Sequence, residues 1–173
     1  MKNKILSTVA AMAVLGSSAL VADIVTGVTK DVHIGVSTIE AYKMSGQAIS
    51  LGYGGSKVWE NGIMAGITMD FLAGKIDLPS GSTETKDTVY GISADLQVGY
   101  VPVKDLTIYA IGSGLEQSVQ NLEGYGFGYG GGIEYAITKS FAVAAEYKTY
   151  NMTNKVGDYD YSAGGVNLKY TWR

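Results

Sequence analysis

After residue 28, bulky apolar side chains alternate one for one with small or polar ones, the period of an extended strand with two unlike faces. Tyr90, Ile92, Ala94, Leu96, Val98 and Tyr100 share one face, and Gly91, Ser93, Asp95, Gln97 and Gly99 share the other. The same design recurs from Tyr125 to Tyr135, where four glycines and Glu134 oppose a Tyr, Phe and Ile row. Ile63, Ile67, Met69 and Phe71 oppose Met64, Gly66, Thr68 and Asp70, while Phe141, Val143 and Tyr147 oppose Ala142, Glu146 and Lys148. The last run sets Val166, Leu168, Tyr170 and Trp172 against Gly165, Asn167, Lys169 and Thr171.

This pattern predicts eight strands, near 30–42, 47–57, 62–77, 88–101, 106–115, 124–136, 141–151 and 160–172. Short turns fall at Lys57 to Asn61, Pro102 to Asp105 and Ile137 to Ser140. Polar connections fall at Lys43 to Gly46, Leu78 to Asp87, Glu116 to Glu123 and Met152 to Tyr159. Short turns that alternate with longer polar loops are the connectivity of an outer-membrane barrel. The fold class expected is all-β, a closed antiparallel up-and-down transmembrane β-barrel.

Composition narrows the setting. Among 173 residues there are no cysteines, which removes disulfides, thiolate nucleophiles and cysteine-based metal sites. Charged residues make up 17% and the formal net charge is -3, so no basic surface points to nucleic acid. Residues 1–22 read as a signal peptide. Lys2 and Lys4 precede an apolar core from Ile5 to Leu15, small residues follow, and cleavage is expected near Ala22. Residues 23–173 then form the barrel. A transmembrane anchor at the N-terminus is the weaker reading, because Ser7, Thr8 and Gly16 interrupt a short apolar run.

Alternation alone suits a soluble barrel or a membrane barrel; which face is bulky separates them. Here one face is built largely of Gly, Ala, Ser and Thr, which fits a cramped lumen, so the bulky face turns to lipid. Tyr90 and Tyr100 are ten residues apart, as are Tyr125 and Tyr135. Ten residues at a rise of ~3.3 Å and a tilt of ~40° cover ~25 Å, the height of a lipid-facing band with aromatics at both borders. In this pattern the chain resembles the small eight-stranded outer-membrane proteins, the group that includes the opacity-like surface proteins and the transmembrane domain of outer-membrane protein A. The run Gly165-Val166-Asn167-Leu168-Lys169-Tyr170-Thr171-Trp172 looks like the terminal signal read by the barrel-assembly machinery, with Arg173 standing where an aromatic residue is common. The partners implied are outer-membrane lipid and that machinery, through the C-terminal strand.

Candidate chemistry is sparse. Gly126-Phe127-Gly128-Tyr129-Gly130-Gly131 has dinucleotide-motif spacing but runs through a strand and lacks the strand-turn-helix setting. Asn151-Met152-Thr153 reads as an ordinary loop, and Asp158 with Asp160 lacks the bracketing loop of a calcium site. His33 is the one histidine; a triad with Ser37 has no support, and the His-x-Ser motif of the lipid A deacylases is missing. No catalytic residue, cofactor or metal site is expected. What remains is a lumen polar cluster: Glu40, Asp70, Asp95, Glu134, Glu146, Lys148 and Lys169. Glu40 joins it only if a bulge lies near Thr38 and Ile39. Asp70 and Asp95 lie on adjacent strands at middle heights, so either a lysine reaches between them, or one acid stays protonated, or a cation or water occupies the gap. Lys148, beside Glu146 on one strand face, is the best candidate for bridging across the lumen, and its loss is expected to lower stability and admit water. The preferred reading is a structural or surface-interaction barrel with a mostly filled polar lumen. The alternatives are a narrow cation-preferring channel and a soluble periplasmic ligand-binding barrel.

Location follows from the leader and the lipid-facing pattern. Cell fractionation is expected to recover a protein beginning near Asp23 in the outer-membrane pellet, released only by detergent. Recovery in the detergent-free periplasmic extract would instead select the soluble barrel.

Overall fold

The computed structural model describes residues 28–42, 44–77, 86–119 and 122–172. The proposed signal peptide and Arg173 lie outside the described residues. Eight strands follow one another: β1 (Thr29–Ala41), β2 (Met44–Val58), β3 (Ile63–Asp77), β4 (Lys86–Val103), β5 (Leu106–Val119), β6 (Leu122–Ala136), β7 (Phe141–Asn154) and β8 (Asp158–Trp172). Each pairs antiparallel with its neighbours in sequence, and β8 returns to pair with β1 from Lys30↔Trp172 to Ala41↔Tyr161, closing the ring. Closure leaves no strand edge, the one arrangement of sheet that hydrocarbon tolerates.

Connections at the end away from the termini are shorter than the polar segments suggested. They span two, eight, two and three residues after β1, β3, β5 and β7. Met44 and Ser45 already belong to β2, β5 runs on to Val119, and β7 to Asn154, so Asn151-Met152-Thr153 is strand rather than loop. The reason is packing. Leu115, Gln117, Met152, Tyr159 and Tyr161 keep the inward side of the alternation and are buried there, which holds those segments extended. The tight β1–β2 connection places Tyr42 at φ 52°, a costly region for a bulky residue. Its ring stacks on Tyr159 at 4.2 Å and its hydroxyl accepts from Asn154 Nδ2, contacts that hold it there. At the other end, Asp105 takes φ 68° in the two-residue β4–β5 turn, a conformation Asp tolerates well.

Strands of 13 to 18 residues overshoot the hydrocarbon layer, since ~14 residues at this rise and tilt already cover ~35 Å. The outer wall carries the bulky side chains, among them Ile34, Leu51, Phe71, Val98, Phe127 and Tyr147. Near the termini an aromatic patch forms where Phe141 meets Tyr170 at 5.2 Å, Tyr170 meets Trp172 at 6.0 Å, and Trp172 meets Tyr53 at 6.3 Å. Amphipathic rings at this level suit the border between hydrocarbon and headgroups.

The two faces of β4 differ sharply in exposure: Leu96 is 54% exposed and Gln97 is 4%. Leu96 registers with Ile67 and Gly112 on the lipid-facing wall, whereas Gln97 borders a lumen space of about 150 Å³. Leu96→Arg is expected to cost ~2–4 kcal/mol in a folding titration in lipid, and Gln97→Glu clearly less. Equal losses would show that the faces are reversed.

Candidate functional site

Inward positions of all eight strands converge on a narrow lumen, and three of its hydrogen bonds share one construction. His33 on β1, Gly52 on β2 and Asp70 on β3 lie side by side in register. A Cβ at Gly52 would overlap both neighbours, so the bare glycine lets His33 Nε2 reach Asp70 Oδ1 at 2.7 Å across the middle strand. Tyr109, Gly132 and Glu146 repeat this on β5, β6 and β7, with the Tyr109 hydroxyl donating to Glu146 Oε1 at 2.7 Å. Ser113, Gly128 and Tyr150 repeat it once more, with the two hydroxyls 2.9 Å apart. The lumen glycines therefore do more than save space. They let polar side chains two strands apart meet.

Lys148 joins the two sides of the ring. Its Nζ lies 2.6 Å from Asp95 Oδ2, 3.8 Å from Glu146 Oε2 and 3.9 Å from Asp70 Oδ2. Ser113 donates to the other Asp95 oxygen, so a carboxylate with no exposed surface has partners for both oxygens. Toward the termini, Lys169 Nζ sits 2.8 Å from Glu134 Oε2 and 5.8 Å from the centre of the Tyr109 ring. His33 Nδ1 is 2.8 Å from Asp31 Oδ1, so its two ring nitrogens both face carboxylates and the pairing with Ser37 is not formed. In all, Asp31, Asp70, Asp95, Glu134 and Glu146 face Lys148, Lys169 and His33. The lining is acidic in balance.

Six of the seven expected cluster residues are inside; Glu40 is not. The β1–β2 and β1–β8 registers run without a bulge, so Ile39 turns inward at 2% exposure and Glu40 turns out. Burying an aliphatic side chain at that level costs far less than burying a carboxylate. Asp31 belongs to the cluster and was missed, although it shares the strand parity of His33. The larger omission concerns apolar residues. Ile39, Ile76, Val89, Leu115, Met152 and Tyr161 pack together inside the half of the barrel away from the termini. Bulk on the inward face is thus concentrated in half of the lumen. Between this apolar cluster and the ion network lies a space of about 60 Å³, lined by Ser37, Ser93, Glu146 and Lys148 among others. Among the described residues no group of three or more acidic, histidine or cysteine side chains is arranged to hold a metal ion.

No curated protein matches the chain in sequence. Among solved structures, the Neisserial surface protein A aligns with a TM-score of 0.55 at 12% identity, covering 85% of this chain and 98% of that one. Ail, the attachment invasion locus protein of Yersinia pestis, aligns with a TM-score of 0.51 at 11% identity, covering 84% of this chain and 100% of that one. At such identities the likeness is one of fold. The sequence also matches the outer membrane protein beta-barrel domain over residues 7–173. With eight antiparallel strands closed in a ring and an apolar outer wall, the chain belongs to the outer membrane protein beta-barrel domain family of the bacterial outer membrane.

Proposed function

We propose that this protein is a sealed structural barrel of the outer membrane that presents short connections to the cell exterior and does not conduct. Residues 1–22 direct export and are removed near Ala22. The termini face the periplasm, and β8 carries the signal for the assembly machinery and closes the ring. The observation that carries the reading is that the Asp70–Lys148–Asp95 ion network and the apolar cluster around Leu115 and Tyr161 both occupy the lumen. An eight-stranded ring has room for little more than its own side chains, which supports a mostly filled lumen. Connections of two, eight, two and three residues leave little polypeptide above the membrane for a broad adhesive surface. No catalytic role is assigned to His33, whose ring nitrogens both face carboxylates.

The two seals are separable. Lys148→Ala strands buried acids and is expected to lower stability by ~3–5 kcal/mol in a denaturant titration. Planar bilayers containing this variant should stay as silent as wild type, because the apolar cluster persists. A Tyr150→Ala/Tyr161→Ala double variant thins that cluster and is expected to leak, with cations preferred by the acidic lining. Steady wild-type current would reject the sealed barrel in favour of the channel.

A further inference from the structure

The outer wall is not uniform around its circumference. Across β8 and β1 to β4, toward the end away from the termini, it is hollowed into an open groove of about 1120 Å³. Two registered rows cross its floor. Val36, Ile49, Ala73 and Tyr90 form an apolar row on β1 to β4, each paired with the next. Two residues further along every strand, Thr38, Gln47, Lys75 and Thr88 form a polar row paired in the same way. The step between rows is ~7 Å along the strands, so the apolar row gives way to the polar one within one side chain's reach.

Charge singles out one residue in the polar row. Lys86, one row higher, is 3.5 Å from Asp77, whereas Lys75 has no carboxylate within salt-bridge distance among the described residues. Its register neighbours, Gln47 and Thr88, carry an amide N–H₂ and a hydroxyl, both able to donate. Of the outward carboxylates nearby, Asp77 is taken by Lys86 and Glu40 stands on β1 beyond Thr38, while Glu116, Glu123, Asp158 and Asp160 lie on β5, β6 and β8; Lys75 is the groove cation with no salt-bridge partner among the described residues. The wall itself faces lipid, which settles what lies against it.

We propose that this groove seats one phosphate-bearing lipid of the surrounding leaflet. The phosphate lies on Lys75 between Gln47 and Thr88, and an acyl chain runs down the apolar row against Val36, Ile49 and Tyr90. An ammonium flanked by neutral donors meets the charge and the several acceptor oxygens of a phosphate. The apolar row supplies the contact that a free anion cannot use. The choice of leaflet rests on the orientation proposed above; binding itself does not, so failure of one leaves the other standing.

Lipid-stripped, folded protein in detergent is titrated with phosphatidic acid or with phosphatidylcholine of the same chains, and bound lipid is counted by native mass spectrometry. One added basic contact near the surface corresponds to a preference of about fivefold for phosphatidic acid. Lys75→Glu and the milder Lys75→Gln are expected to abolish that preference. Lys155→Glu, in the β7–β8 connection, makes the same change of charge away from the groove and should keep it. A heat-modifiable gel shift checks that each variant is folded. Retention of the preference by both Lys75 variants would overturn the proposal, as would its equal loss in Lys155→Glu. Displacement of phosphatidic acid by an equal concentration of inorganic phosphate would assign the site to a free anion and overturn the lipid reading.

Discussion

A strand in hydrocarbon has no water to satisfy an open edge, so the ring must close, and in this chain it closes with eight strands. That number sets the scale of everything inside. The lumen of so small a ring is narrow, and its charged side chains find partners among one another. The three glycine crossings answer this requirement. Where the middle strand carries no side chain, groups from its two neighbours can meet, and His33 with Asp70, Tyr109 with Glu146 and Ser113 with Tyr150 all do so.

Charge inside such a space is costly unless it is compensated across the ring as well as along it. Lys148 does this by reaching Asp95 on the far wall while staying near Glu146 and Asp70. Lys169 serves Glu134 in the half nearer the termini. The apolar half rests on a different principle, close packing of aliphatic and aromatic side chains, and asks nothing of protonation. The ion network and the apolar cluster thus occupy the lumen by different chemistries.

The outside of the wall obeys the opposite rule, with bulk where the inside has glycine. Near the termini Tyr53, Phe141, Tyr170 and Trp172 form one contiguous aromatic patch on it. Its polarity at the other end is mixed, with Lys75 and Lys86 on β3 and β4 beside Asp77 and Glu40, and further carboxylates on β5, β6 and β8. A barrel with so little polypeptide in its connections meets its surroundings mainly through this wall.

How much was legible in the sequence depends on which residues interact. A strand period of two is a local property, so Tyr90 to Tyr100 and Tyr125 to Tyr135 declared their faces directly, and eight such runs with short turns implied the closed ring. Strict alternation also placed Asp70, Asp95, Glu134, Glu146, Lys148 and Lys169 inside. Glu40 was misplaced because one inserted residue reverses a face, and only the unbroken β1 register shows that none is inserted. Asp31 and the apolar plug depend on pairings between distant strands, as when Leu115 and Tyr161 come together in one cluster. The groove at Lys75 has the same origin, since Thr38, Gln47, Lys75 and Thr88 become a row only through the register of four strands. Faces are written along the chain; heights and partners across the ring are decided by closure.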